Sequence, residues 1–115
     1  MTDGFFSIAF TGSAGSGFGV VLLYDGLVAG ADVAGASYDG EYRENPTNHT
    51  LDFRITMRAP AGLTPVQTGV PLLTPLDLPI TASFPDDLGA GHPMLLETKL
   101  GPVNIVFRKI RDFPK

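Results

Sequence analysis

Apolar and polar residues alternate with a period of two through most of this chain. Phe6, Ile8 and Phe10 alternate with Ser7 and Ala9, and Leu51, Phe53, Ile55 and Met57 alternate with Asp52, Arg54, Thr56 and Arg58. Leu78, Ile80, Ala82 and Phe84 alternate with Pro79, Thr81 and Ser83. Met94, Leu96 and Thr98 share one side against Leu95, Glu97 and Lys99, while Val103, Ile105 and Phe107 alternate with Asn104, Val106 and Arg108. Successive side chains of a strand point to opposite faces, so each run reads as a half-buried strand. The spacing predicts strands over 4–11, 18–24, 27–33, 37–43, 49–58, 78–85, 93–100 and 103–110.

The segments between these runs carry turn chemistry. Asp25-Gly26 sits between two apolar runs, the strongest short-range hairpin signal, because both central residues of such a turn need positive φ. Gly12 to Gly17, Ala34-Gly35, Asn45 to Asn48, Pro85 to Gly91 and Gly101-Pro102 read as further connectors. One long gap, Ala59 to Asp77, holds four prolines together with Leu63, Val66, Val70, Leu72, Leu73 and Leu76. Its apolar content predicts a loop folded over one end of the structure, with a mobile lid as the alternative.

Eight short strands joined mostly by short turns form an up-and-down meander. Closure into a barrel is the arrangement that removes both sheet edges. The expected fold is therefore all-β: an eight-stranded antiparallel up-and-down barrel over residues 1–115, a single domain with one Pro-rich crossover loop. A sandwich of two four-stranded sheets is the competing arrangement.

Composition narrows the function classes. The chain has no cysteine, which removes disulfides and thiolate metal sites and fits a reducing, cytoplasmic setting. A net charge of −4 argues against a nucleic-acid surface, which needs a basic stripe. No apolar run approaches a membrane helix in length, and the start lacks the basic region of a signal peptide.

Catalytic and metal motifs are weak. Gly12-Ser13-Ala14-Gly15-Ser16-Gly17 lacks the Gly-Lys-Ser/Thr and the following helix of a phosphate loop. His49 and His92 have neither metal-ligand nor triad spacing, and Asp86-Asp87 reads as a solvated turn. Asp32 is placed to bond turn amides, and Arg108-Lys109-Ile110-Arg111 reads as a solvated strand end. No enzyme activity, cofactor or metal is expected.

Two features point to partners. Strand 18–24 is apolar on both faces, with Phe18, Val20 and Leu22 on one and Val21 and Leu23 on the other. In a closed meander it lies beside strands 4–11 and 103–110, which add Phe5, Val106 and Ile110. A second copy is the commonest cover for such a face, so a homodimer is expected through Phe5, Val21, Leu23 and Val106. The opposite expectation concerns the interior. Phe53, Ile55 and Met57 line it with Tyr38, Tyr42 and Thr98 as polar groups, which would suit a small apolar ligand.

Asp3-Gly4-Phe5-Phe6-Ser7-Ile8, the Gly-rich first loop, Asp25-Gly26, Gly30-Ala31-Asp32 and Tyr38-x-Gly40-x-Tyr42 resemble the GrlR-type regulators, small bacterial proteins with a calycin-like β-barrel. The resemblance covers about the first third of the chain, and the remaining strands match in shape and spacing. It implies a homodimeric, non-enzymatic regulator that binds a partner protein, as the founding member binds a transcriptional activator of type III secretion. That member uses an acidic run after the strand equivalent to Tyr38–Tyr42. Here Arg43-Glu44-Asn45-Pro46-Thr47-Asn48 stands in its place, so that contact does not carry over. The alternative is a carrier or sensor of a small apolar ligand inside the barrel.

Overall fold

A computed structural model describes residues 2–114 and contains eight strands, with no helix among the described residues. They are β1 (Gly4–Gly12), β2 (Gly15–Tyr24), β3 (Leu27–Asp32), β4 (Ser37–Asn45), β5 (Thr50–Ala59), β6 (Leu76–Pro85), β7 (Met94–Thr98) and β8 (Gly101–Asp112). All pairings are antiparallel and run in the order β6-β5-β4-β3-β2-β1-β8-β7. The last strands return to the first, because β8 pairs with β1. The sheet thereby curls into a nearly closed barrel whose seam lies between β6 and β7. The Pro-rich segment 60–75 joins β5 to β6, which pair directly, so it is a long hairpin loop and the up-and-down order is unbroken there.

Local chemistry explains the register. Asp25 and Gly26 have φ of 50° and 81°, the positive pair a tight twisted hairpin requires. This turn sets Tyr24 opposite Leu27 and Leu23 opposite Val28. The β1–β2 connection is tighter than the glycine-rich composition suggests. The ladder continues to Gly12 opposite Gly15, leaving only Ser13 and Ala14 in the turn. Phe6 consequently faces Val21, and Phe10 faces Gly17.

That register settles which face of β2 is buried. Val21 and Leu23, expected on the outer wall from the sequence, point into the core and are 5% and 0% exposed. Phe18, Val20, Leu22 and Tyr24 are the outward residues of the strand. The physical reason is the period of two: with Phe6 and Ile8 inside, the residues opposite them must also point inside. Phe5 and Val106 do lie on the outward side, alternating with buried Phe6, Ile105 and Phe107.

Inward glycines let the strands coil tightly. At Gly40 an added Cβ would lie 2.1 Å from the Arg54 carbonyl oxygen, and at Gly19 one would lie 2.4 Å from that of Ala31. Only a residue without a side chain permits so close a backbone approach, which bends the sheet round toward closure. The space inside is filled by an aromatic cluster. Phe53 lies 6.1 Å from Tyr42, 5.8 Å from Phe84 and 6.3 Å from Phe107, ring centre to ring centre, within the range of favourable ring pairs.

Candidate functional site

The barrel has two differently built ends. The β6–β7 connector covers one of them. It turns through Leu88 N–H to the Pro85 carbonyl and Ala90 N–H to that of Asp87, and Lys109 N–H then bonds the Gly89 carbonyl. This path drives Leu88 into the barrel, where it is 1% exposed and joins the core. Outside it lies a broad open hollow of about 1160 Å³ whose rim includes Asp3, Asp25, Glu44, Asp86 and Asp87, with Lys109 among them.

Loop 60–75 covers the other end. Ala14 N–H bonds the Val66 carbonyl at 2.8 Å, Ser13 Oγ donates to the Gln67 carbonyl at 2.9 Å, and Gln67 Nε2 donates to Thr98 Oγ1 at 3.3 Å. Pro65 is buried beneath. Within the loop, Gly62 N–H bonds the Leu72 carbonyl and Leu72 N–H that of Leu63, so it forms a small hairpin of its own. Beneath it is a cavity of about 150 Å³. A smaller apolar space of about 60 Å³ lies deeper and shares Ile8, Tyr38, Ile80, Leu96 and Ile105 with the first.

Each end carries a tyrosine–aspartate pair. Tyr38 and Tyr42 both project inward from β4, two positions either side of Gly40. Tyr38 donates its hydroxyl to Asp32 Oδ2 at 2.5 Å, and Asp32 Oδ1 also accepts the amides of Ala34 and Ala36. Asp32 thus bonds turn amides, as its position predicts. Tyr42 donates to Asp3 Oδ1, whose other oxygen accepts the Asp25 amide. Burial pushes both phenols well above the usual tyrosine range, and the hydrogen bond to a neighbouring carboxylate raises them further.

The six interior residues singled out from the sequence all face inward. Tyr42 and Phe53 sit in the aromatic cluster; Tyr38 and Ile55 line the deeper space; Met57 and Thr98 line the cavity under the loop. The three polar groups among them are engaged within the chain. Thr98 Oγ1 donates to the Gly101 carbonyl at 2.7 Å and accepts from the Leu100 amide and Gln67. Among the described residues no buried polar side-chain atom lacks a partner.

The outer wall is the other candidate surface. Phe5 and Ser7 of β1 stand beside Leu22 and Val20 of β2, which stand beside Ala29 and Ala31 of β3. Phe113 stacks on Tyr24 at 4.2 Å and on Phe5 at 6.2 Å, extending this apolar face. The wall has oppositely charged margins. Asp39 and Glu41 of β4 border β3, and Arg108 and Arg111 of β8 border β1.

The two histidines are exposed at the Leu88 end. His49 Nδ1 is 3.9 Å from Asp86 and His92 Nε2 is 3.8 Å from Asp87. Among the described residues no group of three or more histidine or carboxylate side chains could hold a metal ion, and no helix is long and apolar enough to cross a membrane.

The Tyr–Asp pairs and the Leu88 cap escape a reading of the sequence. A local signal existed for β2: placing the first turn at Ser13-Ala14 puts Phe6 opposite Val21 and fixes the buried face. No family model matches this sequence, and no curated protein matches it either.

Proposed function

We propose that this protein is a non-enzymatic interaction module that works as a homodimer and acts by binding a partner protein. The observation that carries this reading is the outward face of β1–β3. Phe5, Ser7, Ala9, Thr11, Phe18, Val20, Leu22, Tyr24, Leu27, Ala29 and Ala31 form a face without one charged side chain. Continuous apolar surface of this kind marks a place where another molecule sits.

Charge at the margins selects a second copy as the occupant. Two sheets that meet face to face in a dimer are related by a two-fold axis lying in the interface. With that axis parallel to the strands, Asp39 and Glu41 of one copy fall on the side of Arg108 and Arg111 of the other. With the axis across the strands, like charges meet instead, and this arrangement is disfavoured. The axis then passes over β2, with Val20 and Leu22 at the heart of the contact.

The resemblance of residues 3–10 and 17–42 to GrlR-type regulators supports a regulatory role on a calycin-like scaffold. The sequence at Arg43–Asn48 lacks that family's acidic run, so that family's activator contact is not carried over. The absence of cysteine suits work in a reducing cytoplasm. The non-enzymatic reading rests on the sequence, in which no nucleophile–base pair is recognisable.

Light scattering at micromolar concentration tests the dimer. The expected mass is twice the 12.2 kDa of one chain. Leu22→Glu should yield single chains with an unchanged β-type circular dichroism spectrum, because it buries an unpaired charge at the contact. Wild-type protein that runs as one chain throughout would overturn the reading.

A further inference from the structure

We propose that the barrel end beneath loop 60–75 is a binding site for one small, uncharged, apolar molecule about the size of a single aromatic ring. This site lies inside the barrel end and meets the outer wall only at Phe18.

The space itself sets the size. The cavity under the loop measures about 150 Å³ and the deeper space about 60 Å³, separated only by side chains they share. An apolar cavity of roughly 150 Å³ in another protein stays dry and takes benzene or xenon. Below the deeper space, Phe53, Phe84 and Phe107 fill the barrel, ring against ring. A fatty-acyl chain has nowhere to extend.

The lining sets the chemistry. Phe10, Met57, Ile80 and Leu96 form the walls, and Leu63 and Val66 of the loop form the roof. The inward polar side chains are already engaged: Asp32 on two amides and Tyr38, Thr98 on Gly101, Leu100 and Gln67, while Ser16 and Thr64 lie at the exposed mouth. A charged or hydrogen-bonding ligand that passed the mouth would lose its hydration and find Asp32, Tyr38 and Thr98 already engaged. A hydrocarbon surface loses nothing by entering and fills a void that leaves its lining without contacts.

The loop supplies the way in. Three hydrogen bonds tie it to the β1–β2 turn and to β7, while its own 62–72 hairpin holds it together as a unit. Parting those ties would widen the way in without opening a core strand.

Titration of the intact protein with toluene, followed by methyl resonances in two-dimensional NMR, tests the site. Saturable shifts are expected at Ile8, Met57, Ile80 and Leu96, with xenon under pressure moving the same methyls and decanoate moving none. Ile80→Trp, which fills the space, should weaken toluene binding at least tenfold. Met57→Ala, which enlarges it, should admit naphthalene and keeps the test decisive if the tryptophan variant fails to fold. No saturable shift with toluene or xenon, shifts centred on Val20 and Leu22, or saturable decanoate binding inside the barrel would each overturn the proposal.

Discussion

The outside of this barrel is two surfaces built on the same pleat. Outward positions on β1, β2 and β3 are apolar or small, as at Phe5, Val20, Leu22 and Ala29. Outward positions on β4 and β5 are charged and matched. Glu41 stands opposite Arg54, Arg43 stands opposite Asp52, and Arg58 reaches Asp39 at 3.1 Å. Asp52 also accepts Ser83 Oγ at 2.7 Å and Thr50 Oγ1 at 3.1 Å, which holds its carboxyl below the ordinary carboxylate range. The inner faces of the two halves show no such division, since Val21 and Leu23 on one side serve the same core as Leu51 and Phe53 on the other. The fold needs only the inner pattern. The β4–β5 exterior carries paired charges, and the β1–β3 exterior carries the apolar face of the proposed contact.

The largest effect should separate neighbours on one strand. Leu23 is fully buried, so Leu23→Ala should cost about 2–5 kcal/mol through lost contacts and the cavity left behind. Leu22→Ala, one position along and facing out, should change the stability of a single chain by about 0.5 kcal/mol at most while weakening self-association. Urea titration at low protein concentration reads the first, and sedimentation the second. Equal stability losses at both positions would erase the distinction between inside and wall.

Next comes the tight approach that curls the sheet. Gly40→Ala sets a methyl group against the Arg54 backbone and should cost about 1–3 kcal/mol by overpacking. A neutral result in thermal melting would mean that closure does not rest on this contact.

Alkali should loosen the two ends through their tyrosines. Both folded-state phenols titrate above the ordinary value of 10.0. Their contribution is therefore complete below that pH and is lost as pH rises past it, because the unfolded chain gives up these protons first. The urea midpoint should fall between about pH 9 and about pH 11, and the Tyr38→Phe, Tyr42→Phe double variant should show a shallower fall. An identical slope in both proteins would remove the tyrosines from the effect.

The smallest change is expected on the charged face. Arg58→Ala breaks an exposed ion pair with Asp39 and should cost less than about 1 kcal/mol, without altering the mass in solution. A variant at this position that dissociated the protein would move the contact surface to the wrong half of the barrel.

Most of the fold is legible in the sequence, because its information is local. Alternation marks β5, β6 and β8, and Asp25-Gly26 marks the β2–β3 turn with both residues at positive φ. The inward side of Tyr38, Tyr42, Phe53, Ile55, Met57 and Thr98 follows from the same alternation. What escapes is information held between distant segments. β2 is apolar on both faces, so only its register with β1 decides that Val21 and Leu23 go inside. Leu88 sits in a polar turn and becomes core only because the connector crosses the barrel end. Asp3 finds Tyr42 across 39 positions of sequence. The cavity under loop 60–75 is a property of packed volumes, and no residue pattern announces it.

The most direct test of the wall is a mixed sample of labelled and unlabelled chains, read for magnetisation transfer between copies. Intermolecular contacts are expected from the Val20 and Leu22 methyl groups to residues of β1 and β2 on the other copy, and none from Arg54 or Arg58. Silence between copies at Val20 and Leu22, or contacts arising from the β4–β5 face, would contradict that expectation.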